Sequence, residues 1–138
     1  MEELYQKNLM RLAAAAHGAG TLEDADAGGT LDNPTCGDRI TIQIKMEDGR
    51  ITELAQENRS CLLCQASASL LAENAIGLSL EDVQKIRDYI KGLLKNENGD
   101  FPEHWEKLEH FEAVRDHKSR HLCVLLPFNA LETIMKDK

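Results

Sequence analysis

From Ile40 to Met46 apolar and polar residues alternate without a break. Ile40, Ile42, Ile44 and Met46 fall on one side, and Thr41, Gln43 and Lys45 on the other. A period of two is that of a half-buried strand. Asp48-Gly49 follows, a pair that favours a tight hairpin turn. A return strand is therefore predicted from about Ile51 to Glu57, and a weaker pattern from Gly29 to Asn33 predicts a third strand. Beyond Glu57 the period becomes helical. Residues 61–76, CLLCQASASLLAENAI, are rich in Ala, Ser and Leu and predict a helix. Ser79 and Asp82 have the spacing of a capping box, which opens a second helix with Leu80, Val83, Ile86, Ile90 and Leu94 on one face. Asn98-Gly99 closes that region. Asp100 as a cap, with Pro102 in the first turn and Glu103 after it, predicts a third helix. Its apolar stripe is Trp105, Leu108, Phe111 and Val114. A final helix is expected from about Cys123 to Met135, with Pro127 in its first turn, where a missing N–H does no harm. At the other end, residues 3–16 predict a short helix bearing Leu4, Tyr5, Leu9 and Leu12, and HGAGTLEDADAGG after it reads as a mobile loop. A hairpin followed by helices is an α+β pattern.

Charge narrows the range of partners. The formal net charge of the 138 residues is −8, which argues against non-specific nucleic-acid binding and fits a basic partner. Met1 is followed by Glu2 and Glu3 rather than a basic segment, and no apolar run reaches the roughly 20 residues of a membrane span. A cytoplasmic protein is expected, with no membrane partner. Its four cysteines then read as thiols or metal ligands rather than as a disulfide framework.

Three of these cysteines stand at element ends. Cys36 lies in NPTCGDRI, a turn leading into the alternating strand, and Cys61 and Cys123 lie at the starts of predicted helices. A helix N-terminus offers free N–H groups and the positive end of a dipole, both of which stabilise a thiolate. Asp38, two residues from Cys36 on an extended chain, adds an oxygen. Three sulfurs and one oxygen suit a tetrahedral zinc ion. The same thiolates suit an iron–sulfur cluster. Against both stands the reading in which each cysteine is a small packed residue of the core. Cys64 makes a C-x-x-C with Cys61, open to four readings: a ligand alternative to Asp38, a persulfide relay, half of a thiol–disulfide redox pair, or a buried core residue. Arg120 suits steadying a thiolate or holding a carboxylate, or serving as a surface charge. His121 is the histidine nearest to a candidate ligand, whereas His104, His110 and His117 read as solvated and His17, in the glycine-rich loop, shows no partner in the sequence.

Taken together, NPTCGDRI, SCLLCQASAS and RHLCVLLPFNALE resemble the three cysteine regions of the NifU N-terminal-like scaffold family, which includes IscU and SufU. The resemblance spans roughly residues 29 to 135. LEHFEAVRDHKSRHLC is similar to the insertion of the SufU branch, and Arg120 falls where that branch has an arginine. Leu122 occupies the position where the IscU branch has a histidine. The resemblance implies a SufE/NifU-like α+β fold, a three-stranded antiparallel sheet packed against several α-helices. It implies one domain over residues 1–138: an N-terminal helix and loop (1–28), the sheet (29–58), and a helical part (59–138) carrying an insertion at 95–120. It also implies a zinc ion or a [2Fe-2S] cluster held by Cys36, Asp38, Cys61 and Cys123, a cysteine desulfurase as sulfur donor, and recipient iron–sulfur apoproteins. Cys36, or alternatively Cys123, would accept the sulfur, with Arg120 beside it. The implied role is an iron–sulfur cluster assembly scaffold or, alternatively, a zinc-dependent sulfurtransferase. Two features depart from the family pattern. RLAAAAHGAG stands where the family carries H-Y-x-N-P-R-N-x-G, and Cys64 stands where a small or apolar residue is usual.

Overall fold

The alternating segment becomes the central strand. In the computed structural model, which describes residues 3–97 and 99–137 and side chains from Gln6 onward, three antiparallel strands form one sheet in the order β1-β2-β3. They are β1 (Ala27–Asn33), β2 (Asp38–Glu47) and β3 (Arg50–Arg59). The face expected of the Leu4 and Tyr5 side chains and the turn expected at Asn98 lie outside what is described. Ile40, Ile42 and Ile44 are fully buried on the inner face, as a period of two requires. Asp48 and Gly49 both have positive φ, 54° and 77°, which is the two-residue hairpin that an Asp-Gly pair favours. A register shift at Lys45/Met46 lets the two strands pair on to Arg59.

Four α-helices follow the sequence pattern with corrected ends: α1 (Glu3–Ala15), α2 (Leu62–Glu73), α3 (Leu80–Leu94) and α4 (His121–Lys136). The capping box forms as expected. Asp82 N donates to Ser79 Oγ at 3.1 Å, and Ser79 N donates to Asp82 Oδ2 at 3.0 Å. Helix α2 stops at Asn74, short of the expected Ile76, because the next residues turn to join the sheet: Gly77 N bonds Ile51 O, and Ile51 N bonds Leu78 O. The central helix is α4, which packs against β1, β2, α2 and α3 and buries Val124, Leu126, Phe128 and Leu131.

Three expectations are corrected. The third helix is not an α-helix capped by Asp100 but a 3₁₀ segment, Glu106–Val114. Its N-cap, Trp105, and its buried residues, Leu108, Phe111 and Val114, recur every third position. That spacing keeps one face only at three residues per turn; in an α-helix it would drift around the cylinder. Pro127 is not in a first turn. Helix α4 begins at His121, so Pro127 is its seventh residue, and it has no N–H to give the Cys123 carbonyl one turn back. The glycine-rich stretch after α1 is not a free loop. Gln56 N bonds Gly18 O at 2.8 Å, and Gly20 N bonds Gln56 O at 3.1 Å, so it lies along the edge of β3. Among the described residues no helix is long and apolar enough to cross a membrane.

Candidate metal centre

The ladder between β1 and β2 ends at the pair Asn33↔Asp38, so residues 34–37 form the turn that carries Cys36. Asn33 closes this turn twice. Its backbone carbonyl accepts from Gly37 N at 2.8 Å, and its side-chain Oδ1 accepts from Thr35 N at 3.2 Å. Gly37 takes φ +71°, a left-handed conformation that a residue with a Cβ adopts only at a cost. The turn presents Cys36 half-buried, its Sγ 3.8 Å from the Ser119 carbonyl.

Asp38, the first residue of β2, is only 2% exposed. Its Oδ1 accepts from Cys61 N at 2.8 Å, and its Oδ2 lies 3.7 Å from Cys61 Sγ. Cys61 is the N-cap of α2, and its own side chain makes no capping hydrogen bond. Cys123, third residue of α4, is fully buried, and its Sγ is 3.2 Å from Cys36 Sγ. One ligand atom each from Cys36, Asp38 and Cys123 lie within 4.8 Å of one another. Cys61 joins them through Asp38. Two helix N-termini and one strand turn thus meet at a point, as the positions of these residues in the sequence suggest.

Burial pushes the Cys123 thiol well above its ordinary range, and hydrogen bonds with Cys36, Asp38 and Cys61 push it the same way. Without a cation the Cys123 thiol is therefore protonated. A tetrahedral zinc ion with bonds of ~2.3 Å to sulfur separates its ligand sulfurs by roughly 3.8 Å. The Cys36 and Cys123 sulfurs, 3.2 Å apart, are closer than that and would be parted by a bound ion, while Cys61 Sγ and Asp38 Oδ2, 3.7 Å apart, are already at a spacing suited to neighbouring ligands. Binding must expel the Cys123 proton, so zinc affinity is expected to rise with pH between about pH 6 and 8. Competition with a chromophoric chelator across that range measures it, and a flat profile would contradict the assignment.

The remaining candidates lie elsewhere. Cys64 is fully buried on the inner face of α2, and burial raises its thiol to about 12. It stays outside the group of close donors. Arg120 is exposed at the N-cap of α4. His121 turns away: its Nε2 lies 3.1 Å from Val114 O and 3.0 Å from Arg115 O, at the end of the 3₁₀ segment. Leu122 is 52% exposed beside the site. Among the other histidines, His17 pairs with Glu73 at 3.0 Å, while His104 and His117 are exposed and His110 is half-buried. One residue that sequence reasoning passed over is Asn33, 3% exposed, whose Nδ2 lies 3.9 Å from Cys123 Sγ. Its signal was an Asn at the head of a turn, where the side chain commonly bonds the backbone two residues on.

Fold and site together define a small α+β domain whose sheet turn and helix N-termini bring cysteine and aspartate side chains to a common point. The chain belongs to the family of the NifU-like N terminal domain, whose model matches residues 4–121. It is similar to the iron-sulfur cluster assembly scaffold protein IscU of Thermotoga maritima, 27% identical over 133 residues, 96% of this chain and 93% of the relative. It is also similar to the zinc-dependent sulfurtransferase SufU of Bacillus subtilis, 28% identical over 133 residues, 96% of this chain and 89% of the relative. Among solved structures, the NifU-like N-terminal protein of Brucella abortus superimposes with a TM-score of 0.89 at 33% identity, covering 96% of this chain and 92% of that one.

Proposed function

We propose that the protein is an iron–sulfur cluster assembly scaffold that takes sulfur from a cysteine desulfurase and passes the assembled cluster to recipient apoproteins. The observation that carries this reading is the convergence of Cys36, Asp38 and Cys123 within 4.8 Å, with Cys61 Sγ 3.7 Å from Asp38. In this reading Cys36, Asp38, Cys61 and Cys123 hold either a zinc ion or the cluster under construction. Bound zinc would keep the thiols ionised and the pocket ordered. Cys36 is the accessible sulfur of the Cys36–Cys123 pair, and so the acceptor; Cys123, fully buried, is the less favoured one. The Cys36 thiolate attacks the outer sulfur of the desulfurase persulfide. A new S–S bond forms on Cys36 as the old one breaks, and the donor cysteine leaves as a thiolate. Arg120, exposed three residues before Cys123, supplies positive charge at the mouth for the incoming anionic sulfur.

A second reading keeps the site and the sulfur transfer but omits cluster building, making the protein a zinc-dependent sulfurtransferase. The orientation of His121 and the exposed Leu122 favour it, because they leave no histidine beside the third cysteine. Desulfurase turnover with this protein as acceptor, followed by reconstitution with iron and sulfide, separates the two. A scaffold stimulates turnover and develops the absorbance of a cluster. A protein that stimulates turnover only when loaded with zinc, and never builds a cluster, is a transferase.

Cys64→Ser is expected to leave zinc content and desulfurase stimulation within about twofold of wild type, while costing roughly 1–3 kcal/mol of stability for a buried hydroxyl. Loss of sulfur acceptance in that variant, with the metal retained, would point instead to a redox pair of Cys61 and Cys64.

A further inference from the structure

We infer that Asn33 is a positioning residue of the metal centre: its side-chain oxygen holds the Cys36 turn while its side-chain nitrogen steadies the Cys123 sulfur. The inference rests on the metal-binding role proposed above. Asn33 is buried to 3% exposure at the last pair of the β1–β2 ladder, opposite Asp38. Its two side-chain ends do different work. Oδ1 accepts from Thr35 N at 3.2 Å, which fixes which way round the amide lies. Nδ2 is thereby aimed at Cys123 Sγ, 3.9 Å away across 90 residues of sequence. The backbone carbonyl of the same residue accepts from Gly37 N at 2.8 Å. One residue thus touches the turn that carries Cys36, faces Asp38 across the sheet, and reaches Cys123.

The chemistry calls for an amide. A primary amide accepts at one end and donates at the other. Aspartate has the same shape but no donor, and would set a second negative charge against the thiolate. Serine is too short to reach both partners. A neutral N–H directed at an ionised sulfur forms a charge-assisted hydrogen bond, stronger than one to the thiol. It therefore favours the state in which Cys123 binds a cation. The effect belongs to the class of outer contacts that orient and tune metal ligands. In a residue only 3% exposed, the amide nitrogen has little water to turn to if this bond is absent.

Asn33→Asp separates the two ends, since it keeps the oxygen that caps Thr35 and replaces only the donor. Chelator competition is expected to show zinc binding weakened by about 10- to 100-fold, with hydrogen exchange at the Thr35 amide unchanged. Asn33→Ala should lose the same affinity and also speed exchange at Thr35. An Asn33→Asp protein that binds zinc as tightly as wild type, or more tightly, overturns the inference. A second readout needs no metal. In zinc-free protein labelled with ¹⁵N, the Asn33 side-chain amide resonances are expected to shift when Cys123 is replaced by serine, and resonances that stay in place overturn it as well. Wild-type protein that takes up no zinc would defeat the proposed metal site, and the inference about Asn33 would then be decided by the resonances alone.

Discussion

Cys123→Ser is expected to lose zinc by more than about 100-fold in affinity, beyond the range typical of residues that only support a ligand. The substitution changes one atom in a fully buried side chain, so the fold is expected to be kept at a cost of roughly 1–3 kcal/mol for the buried hydroxyl. What changes is the chemistry of that atom. A serine hydroxyl does not ionise near neutral pH, and its oxygen is a harder and weaker ligand than a thiolate where sulfur is called for. Position matters too. Cys123 is the third residue of α4, close to Cys36 Sγ and within reach of the Asn33 amide, so it joins the sheet turn to the central helix. Metal content after desalting, with circular dichroism to confirm folding, is the measurement. A folded Cys123→Ser protein with a full complement of zinc would contradict the site.

Phe128→Ala carries the second large effect, on stability. Phe128 lies on α4 five residues beyond Cys123, is 1% exposed, and meets Trp105 with ring centroids 5.9 Å apart at 57°. Removing a buried phenyl costs about 3–5 kcal/mol, the lost transfer energy plus that of the cavity left behind. At this chain length that lowers the thermal midpoint by roughly 10–20 °C. Trp105 is the one tryptophan in the chain, so its fluorescence reports the loosened contact directly. The ring also ties α4 to Trp105, the residue that heads the 3₁₀ segment. Zinc affinity is therefore expected to fall modestly in the folded variant, through a less firmly held Cys123. A midpoint within about 3 °C of wild type would contradict the placement of this ring at the centre of the core.

The parts of the fold that were legible are those in which one local rule decides the outcome. The alternation from Ile40 to Met46, the Asp48-Gly49 turn and the Ser79/Asp82 capping box all formed where the residues indicated. The parts that were not legible depend on contacts distant in sequence. Trp105, Leu108, Phe111 and Val114 have a spacing that an α-helix and a 3₁₀ helix share over one turn but not over three, and packing against α1 and α3 selects the latter. Pro127 looked like a helix start because a proline is costly further in. The burial of α4 against β1, β2, α2 and α3 holds that helix continuous through it. The site itself was partly legible. Cys36, Asp38, Cys61 and Cys123 stood out by their places at element ends, but that these ends meet is a property of the sheet order and of α4 crossing it. The role of Asn33 was hidden for the same reason, since its partner is 90 residues away.

X-ray absorption at the zinc edge, on protein purified without oxygen, tests the convergence of these four side chains most directly. Three sulfur neighbours at about 2.3 Å and one oxygen at about 2.0–2.2 Å are the expected shell. A shell with no sulfur, or a protein that holds no metal when zinc is supplied, would contradict it.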